Sequence, residues 1–201
     1  MKILAITPVV DYFEIAKTAI DSLECDTYVI SDNPEFKGDI NNTEKKYCNG
    51  SWNIGMKHFL NNDYDWLVFH SSDVIMQKNW IKKVPFRKKE IYFPTLAKSF
   101  ETLEEELREE KLLEGQPAGF TFILSREAVE IVFPIPEKLK LWFGDEYIIR
   151  KLRNRGYKIV QTSACAYHYG SISVSNSKTS HKVIEEDKLE WEKLCKTNFL
   201  N

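Results

Sequence analysis

The chain has no long apolar run. Its N-terminus, MKILAITPVVDYFEIAKTAI, is interrupted by Asp11, Glu14 and Lys17 and lacks the apolar stretch and small-residue site of a cleaved signal peptide. Nothing further along is long enough to span a bilayer. Neither sign of charge dominates: 28 Lys and Arg stand against 30 Asp and Glu, a net charge of -2. That balance gives no bulk electrostatic case for nucleic acid or an anionic membrane as partner. The four cysteines, Cys25, Cys48, Cys165 and Cys195, are widely spaced and form no CxxC pair. They read as reduced thiols of an intracellular protein rather than a disulfide framework or zinc site. There is no internal repeat and no low-complexity linker. With 201 residues, 43% hydrophobic and 29% charged, the expectation is one soluble, cytoplasmic domain with a single good core.

What is present reads as alternating strand and helix. Lys2 to Thr7 is a short apolar run stopped by Pro8, as in a buried strand. Tyr12, Ile15, Ala16, Ala19, Ile20 and Leu23 recur at helical spacing. Thr27 to Ile30 is β-branched and aromatic and ends in the turn-rich Ser31-Asp32-Asn33-Pro34. This order opens a parallel α/β sheet. Residues 35–50 read as a loop, after which Ser51 caps a helix from about Trp52 to Leu60, and Trp66 to His70 forms another buried strand. Ile91 to Phe93 reads as a strand, Phe100 to Leu113 as a solvated amphipathic helix, and Gly119 to Leu124 as a strand. Arg126 to Val132 follows as a short helix, Asp145 to Arg155 as a helix ended by Gly156, and Tyr157 to Gln161 as a strand. The tail from about Ser173 reads as a mobile stretch followed by a helix around Trp191 and Leu194.

Ligands in open parallel sheets bind at the carboxyl ends of the strands. Thr7, Asp32 and the Ser71-Ser72-Asp73 cluster fall there, and Asp145 and His168 flank the late helix and strand. Together they suggest a site assembled from several loops. Each taken alone is also an ordinary turn former or helix cap.

Two blocks resemble a known family. Asn53, Gly55, an apolar helix and then Trp66-Leu67-Val68-Phe69-His70-Ser71-Ser72-Asp73-Val74 resemble the donor half of GT-A-fold glycosyltransferases, with their N-x-G helix, apolar strand and DxD-type motif. Gly119-Phe120, Trp142-Phe143-Gly144-Asp145-Glu146, Leu152, Gly156-Tyr157-Lys158-Ile159 and His168-Tyr169-Gly170-Ser171 resemble the acceptor half in order and spacing. The compact form looks like the small family-2-type transferases of phages and large viruses. The resemblance implies a single-domain, mixed but mostly parallel GT-A sheet flanked by helices over residues 1–172, with 173–201 as a tail packed on it.

It also implies a function, that of a hexosyltransferase-type enzyme. Thr7, Pro8, Asp32, Asn53, Ser72 and Asp73 would bind a nucleotide-sugar donor, expected to be a uridine diphosphate sugar. Gly119, Trp142 and Glu146 would meet a glycan or glycosylated acceptor. Asp145 would be the base of an inverting transfer, with Glu146 as its local understudy. One departure stands out, because Ser71 replaces the first acid of the DxD motif. A divalent ion would then rest on Asp73 and His168, and an imidazole ligand favours Mn²⁺ over Mg²⁺. Trp142, Phe143 and Tyr169 can stack on a sugar ring or serve as core. Two other readings compete. A nucleotidyltransferase usually has a glycine-rich, basic phosphate loop, which Thr7-Pro8-Val9-Val10-Asp11 does not supply. A silent nucleotide- or sugar-binding module is compatible with the reduced acidic motif.

Overall fold

The apolar run at the N-terminus becomes β1 (Ile3–Val9), which lies between β2 (Asp26–Ser31) and β4 (Trp66–His70) and is parallel to both in the computed structural model. The structure describes residues 1–115, 117, 119–170 and 178–197. Helix α1 (Phe13–Asp21) connects β1 to β2. The short β3 (Ile40–Asn41) extends the sheet beyond β2, and α2 (Tyr47–Leu60) crosses back to β4. The chain then runs through β5 (Val74–Met76), a 3-10 turn at Trp80–Lys83, β6 (Glu90–Leu96), β7 (Lys111–Leu112) and β8 (Thr121–Ser125). It ends with α3 (Arg126–Val132), α4 (Gly144–Arg153), β9 (Lys158–His168) and α5 (Lys178–Lys196). The strand order is β3-β2-β1-β4-β8-β6-β9-β5, with β7 also on β9. β8 is antiparallel to both β4 and β6, while β6 and β9 are parallel. The architecture is therefore the expected mixed, mostly parallel α/β sheet flanked by helices in one domain.

Side-chain alternation explains why the strands read as unbroken apolar runs. Leu4, Ile6, Leu67, Phe69, Phe122 and Leu124 face α2, α3 and α4 in one core. Ile3, Ala5, Trp66, Val68 and Ile123 point to the other face, against Trp80 and Tyr92. Successive residues of a strand serve opposite faces, and here both faces are covered. On the first face Trp52 sets its edge on Phe69 and Phe122, with ring centroids 5.1 and 5.7 Å away. Gly55 lets α2 lie directly on β1, since a Cβ there would come within 2.6 Å of Ile6.

Three local expectations are corrected. Helix α2 begins at Tyr47, a turn before Trp52, so Ser51 is a buried interior residue and not the cap. The cap comes from outside the segment: the Asp32 carboxylate accepts from the backbone N–H groups of Lys46 at 3.0 Å and Tyr47 at 2.8 Å. The segment from Phe100 to Leu113 is not a helix but turns followed by β7. The buried Gln77 amide donates to the carbonyls of Leu103, Glu104 and Glu106, which a helix would need for its own ladder. Strand β9 continues past Gln161 to His168. The stretch expected to be mobile, 173–177, lies outside the described residues.

Candidate active site

Four segments converge at the carboxyl ends of β1, β2 and β4 to surround a cavity of about 470 Å³. The end of β1 and the turn after it contribute Pro8, Val9, Val10 and Asp11, and Asp32 directly follows β2. The first turn of α2 supplies Tyr47, Cys48 and Asn49, and β4 leads into Ser71, Ser72 and Asp73. Because β8 runs antiparallel to β4, its start brings Gly119 and Phe120 to the same edge. Trp142, Asp145 and Glu146, around the first turn of α4, also line it, with His168 at the end of β9. Pro8, Asp32, Ser72, Asp73, Gly119, Trp142, Asp145, Glu146 and His168 are thus brought together from the far corners of the sequence.

Register explains the Asp73–His168 contact. The chain leaves β4, turns, and returns as β5 antiparallel to β9 with Val74 opposite His168. Asp73, one residue earlier, places Oδ2 3.3 Å from Nε2 of His168. The His168 ring is itself stacked on Phe120, centroids 5.1 Å apart. A carboxylate beside an imidazole is a donor set that suits Mn²⁺ better than Mg²⁺. Among the described residues no group of three or more His, Cys, Asp or Glu gathers to hold an ion. The pair fits a divalent ion only as a partial set, the other positions falling to substrate oxygens and water.

Asp145 sits in the first turn of α4, whose N-cap, Phe143, is held in the left-handed region at φ 62° and offers no capping side chain. The backbone N–H groups of Glu146, Asp145 itself and Gly119 favour the charged form of the Asp145 carboxyl. Burial nonetheless dominates and holds its carboxyl above the usual carboxylate value. Burial raises Glu146 as well, with the neighbouring Asp145 charge adding to it. Both carboxyls line the cavity, and burial shifts each towards its protonated form.

Two expected donor residues are placed elsewhere. Asn53 does not line the cavity; its amide donates to the Ile135 carbonyl at 2.9 Å and accepts from the Ile135 N–H at 2.8 Å, fixing α2 to the 134–136 segment. Thr7 is fully buried beneath the floor, 3.2 Å from Nδ1 of His70. The other nitrogen of that ring lies 2.9 Å from the Val74 carbonyl, which only accepts. Nε2 therefore carries the proton, and Nδ1 accepts from the Thr7 hydroxyl. Burial depresses the His70 pKa to about 4, so a neutral ring supports the floor. Asp32 does line the cavity, but its carboxylate is engaged by Lys46 N–H, Tyr47 N–H and the Asn42 amide.

Several cavity residues carry no local sequence signal. Asn49 is buried and donates to the carbonyls of Leu139 at 3.1 Å and Trp142 at 3.0 Å, joining α2 to the rim before α4. Cys48 lies among Asp145, Asp32 and Asp73; burial and their charges push its thiol well up, leaving it unreactive. Among the described residues Lys45 is the one Lys or Arg that lines the cavity, against the five carboxylates of Asp11, Asp32, Asp73, Asp145 and Glu146. Only a long-range fold brings these groups together.

The fold is similar to that of GT-A glycosyltransferases. The catalytic domain of Drosophila β1,4-galactosyltransferase 7, solved with xylobiose, aligns with a TM-score of 0.55 at 12% identity, over 79% of this chain and 63% of that one. A mutant of that enzyme has been solved with manganese, UDP-Gal and xylobiose. Protein A197 from STIV aligns with a TM-score of 0.53 at 17% identity, over 85% of this chain and 87% of its own. The inositol-1-phosphate CTP transferase of T. maritima gives 0.54 at 8% identity, over 92% and 96%. At such identities the likeness is one of fold. No family model and no curated protein sequence matches the chain. Among the described residues no helix is long and apolar enough to cross a membrane.

Proposed function

We propose that the chain is a metal-dependent, inverting glycosyltransferase that moves a hexosyl group from a uridine diphosphate sugar to a hydroxyl of a glycan acceptor. The observation that carries this reading is the shared cavity, which both the Asp73–His168 pair and the raised Asp145 carboxyl line. Its charge supports a metal requirement. Five carboxylates and one lysine would repel a diphosphate unless a cation entered with it. A divalent ion held by Asp73 and His168 would supply positive charge against the departing diphosphate.

The protein's own residues do the rest. Pro8, Val9 and Ser72 form the donor wall, over a floor stiffened by Thr7 and His70. Asp32 fixes the start of α2 beside the donor wall through its bonds to the Lys46 and Tyr47 N–H groups. Trp142, half exposed, offers a flat face to an acceptor sugar whose approach Gly119 leaves open. Asp145 takes the proton of the acceptor hydroxyl as its oxygen bonds to the anomeric carbon. The bond from that carbon to the phosphate oxygen breaks, and its electron pair leaves on the nucleotide diphosphate. Attack opposite the leaving group inverts the anomeric centre.

The T. maritima CTP transferase keeps a nucleotidyltransferase as the second reading, since it covers nearly the whole chain. Against it, the turn after β1 has neither glycine nor a basic side chain and ends in Asp11. A thermal-shift screen of UDP-, GDP-, dTDP- and CMP-sugars and CTP, with and without Mn²⁺, separates the two. The expected result is stabilisation by the uridine series only with Mn²⁺, about 2.7 kcal/mol at a hundredfold excess over Kd. Stabilisation by CTP and not by sugar nucleotides would overturn the transferase reading.

A further inference from the structure

Among its described residues helix α5 contributes no side chain to the cavity, yet it holds one of its rims. Val183, Asp187, Trp191 and Leu194 recur at helical spacing on its packed face. Among them Asp187 is a fully buried carboxylate within an apolar stripe. Such a group is costly unless its lone pairs are used. Here they are: Oδ1 accepts from the Lys140 N–H at 2.9 Å, and Oδ2 from the N–H groups of Leu141 at 2.7 Å and Trp142 at 2.8 Å. Three successive backbone donors converge on one carboxylate.

The same short segment is gripped from its other side. Asn49 donates its amide to the Leu139 and Trp142 carbonyls, and its own N–H reaches the Lys140 carbonyl at 2.9 Å. One side chain thus takes the donors of 140–142 while another satisfies the neighbouring acceptors. Trp191 adds a stacked contact on Phe143, centroids 5.8 Å apart and planes within 13°. Phe143 is the N-cap of α4, and Asp145 lies two residues on.

Resting on the reading above, we infer that Asp187 is a positioning residue of the acceptor half: through the 140–142 backbone it sets Trp142 and the first turn of α4, and with them the reach of the Asp145 carboxylate. It touches neither substrate nor the reacting atoms. Its hydrogen bonds go to the 140–142 backbone and not to β1, β2 or β4, on which the donor wall is built.

Asp187→Asn tests this, because it keeps the shape but presents an NH₂ to backbone N–H groups. Three measurements are made on the full chain: amide hydrogen exchange, calorimetric affinity for UDP with Mn²⁺, and steady-state transfer. Exchange should accelerate locally at 140–142, and UDP affinity should stay within about twofold. Turnover should fall about 10- to 100-fold, the scale expected when a reacting group is misplaced by around 1 Å. Glu186→Gln, which removes only the Lys140 Nζ ion pair, should change none of the three. Trp191→Leu, which spares the carboxylate, should give the same pattern in weaker form and serves if the Asn variant does not fold.

Wild-type protection at 140–142, or wild-type turnover, in the Asn variant would overturn the inference. So would protection lost across the whole sheet together with UDP affinity, since Asp187 would then merely hold the fold. If the wild-type chain transfers no sugar, the proposed activity fails and takes the catalytic part of the inference with it. The clamp on the backbone then stands or falls on the exchange data alone.

Discussion

A methyl group on Gly119 would lie 2.1 Å from Oδ2 of Asp145. The carboxylate is seated directly on the glycine backbone, so the start of β8 and the start of α4 fit together only without a side chain. Gly119→Ala should push Asp145 aside and lower turnover by about 10²-fold, while UDP affinity stays near wild type. Paired kinetics and calorimetry on the variant check this; equal losses in both would mean that the whole cavity had collapsed.

Asp145→Asn should lower transfer by about 10²–10⁴-fold, the range of general-base catalysis, with donor affinity little changed. Stability should move the other way. A carboxyl whose folded pKa is raised binds its proton more tightly folded than unfolded, so it disfavours folding as pH rises from the unfolded value through the folded one. At neutral pH the Asn variant lacks that penalty and should melt no lower than wild type. Product anomers read by NMR complete the test, and retained configuration would exclude the single displacement.

Removing one member of the Asp73–His168 pair should separate metal from nucleotide. Asp73→Ala should abolish the Mn²⁺-dependent part of UDP binding, and His168→Gln should weaken it, with melting temperatures in the absence of ligand close to wild type. Titration calorimetry with and without chelator measures the difference. Metal-dependent affinity that survives in Asp73→Ala would place the ion elsewhere.

The buried His70 predicts acid sensitivity. Its folded pKa of about 4 lies below the ordinary histidine value of 6.5. Between those values the unfolded chain binds the extra proton, so stability is full above 6.5 and falls with pH towards 4, by about 3 kcal/mol in all. His70→Asn should be less stable at pH 7 but lack this part of the slope. Urea unfolding of both proteins from pH 4.5 to 7.5 gives the comparison; parallel slopes would refute it.

The sheet was legible wherever strands are buried on both faces, because continuous apolar runs such as Trp66 to His70 need no partner to be recognised. Arg126 to Val132 was equally plain, opening on a helix whose cap, Ser125, accepts from Ala128 N–H at 3.3 Å within its own segment. Sequence failed where a distant side chain decides the matter. Asp32 starts α2 from another strand, and Gln77 draws the carbonyls of 103–106 out of any helix. The site followed the same rule. Asp73, Asp145 and His168 stood out as polar residues at element ends, whereas Asn49 and Asp187 act across the fold and look like ordinary helix residues in the string. Asn53 misled because an amide in the right motif was already bonded to Ile135.

Helix α2 has both ends finished by residues from elsewhere. Asp32 closes its start, and at its end the Arg126 guanidinium, lying over the Phe59 ring, bonds the carbonyls of Phe59, Leu60, Asn62 and Tyr64. A segment of that length is marginal alone. During synthesis it therefore stays incomplete until residue 126 has emerged, more than sixty positions after the helix itself. A chain stopped anywhere short of α3 leaves α2 without its C-terminal partner.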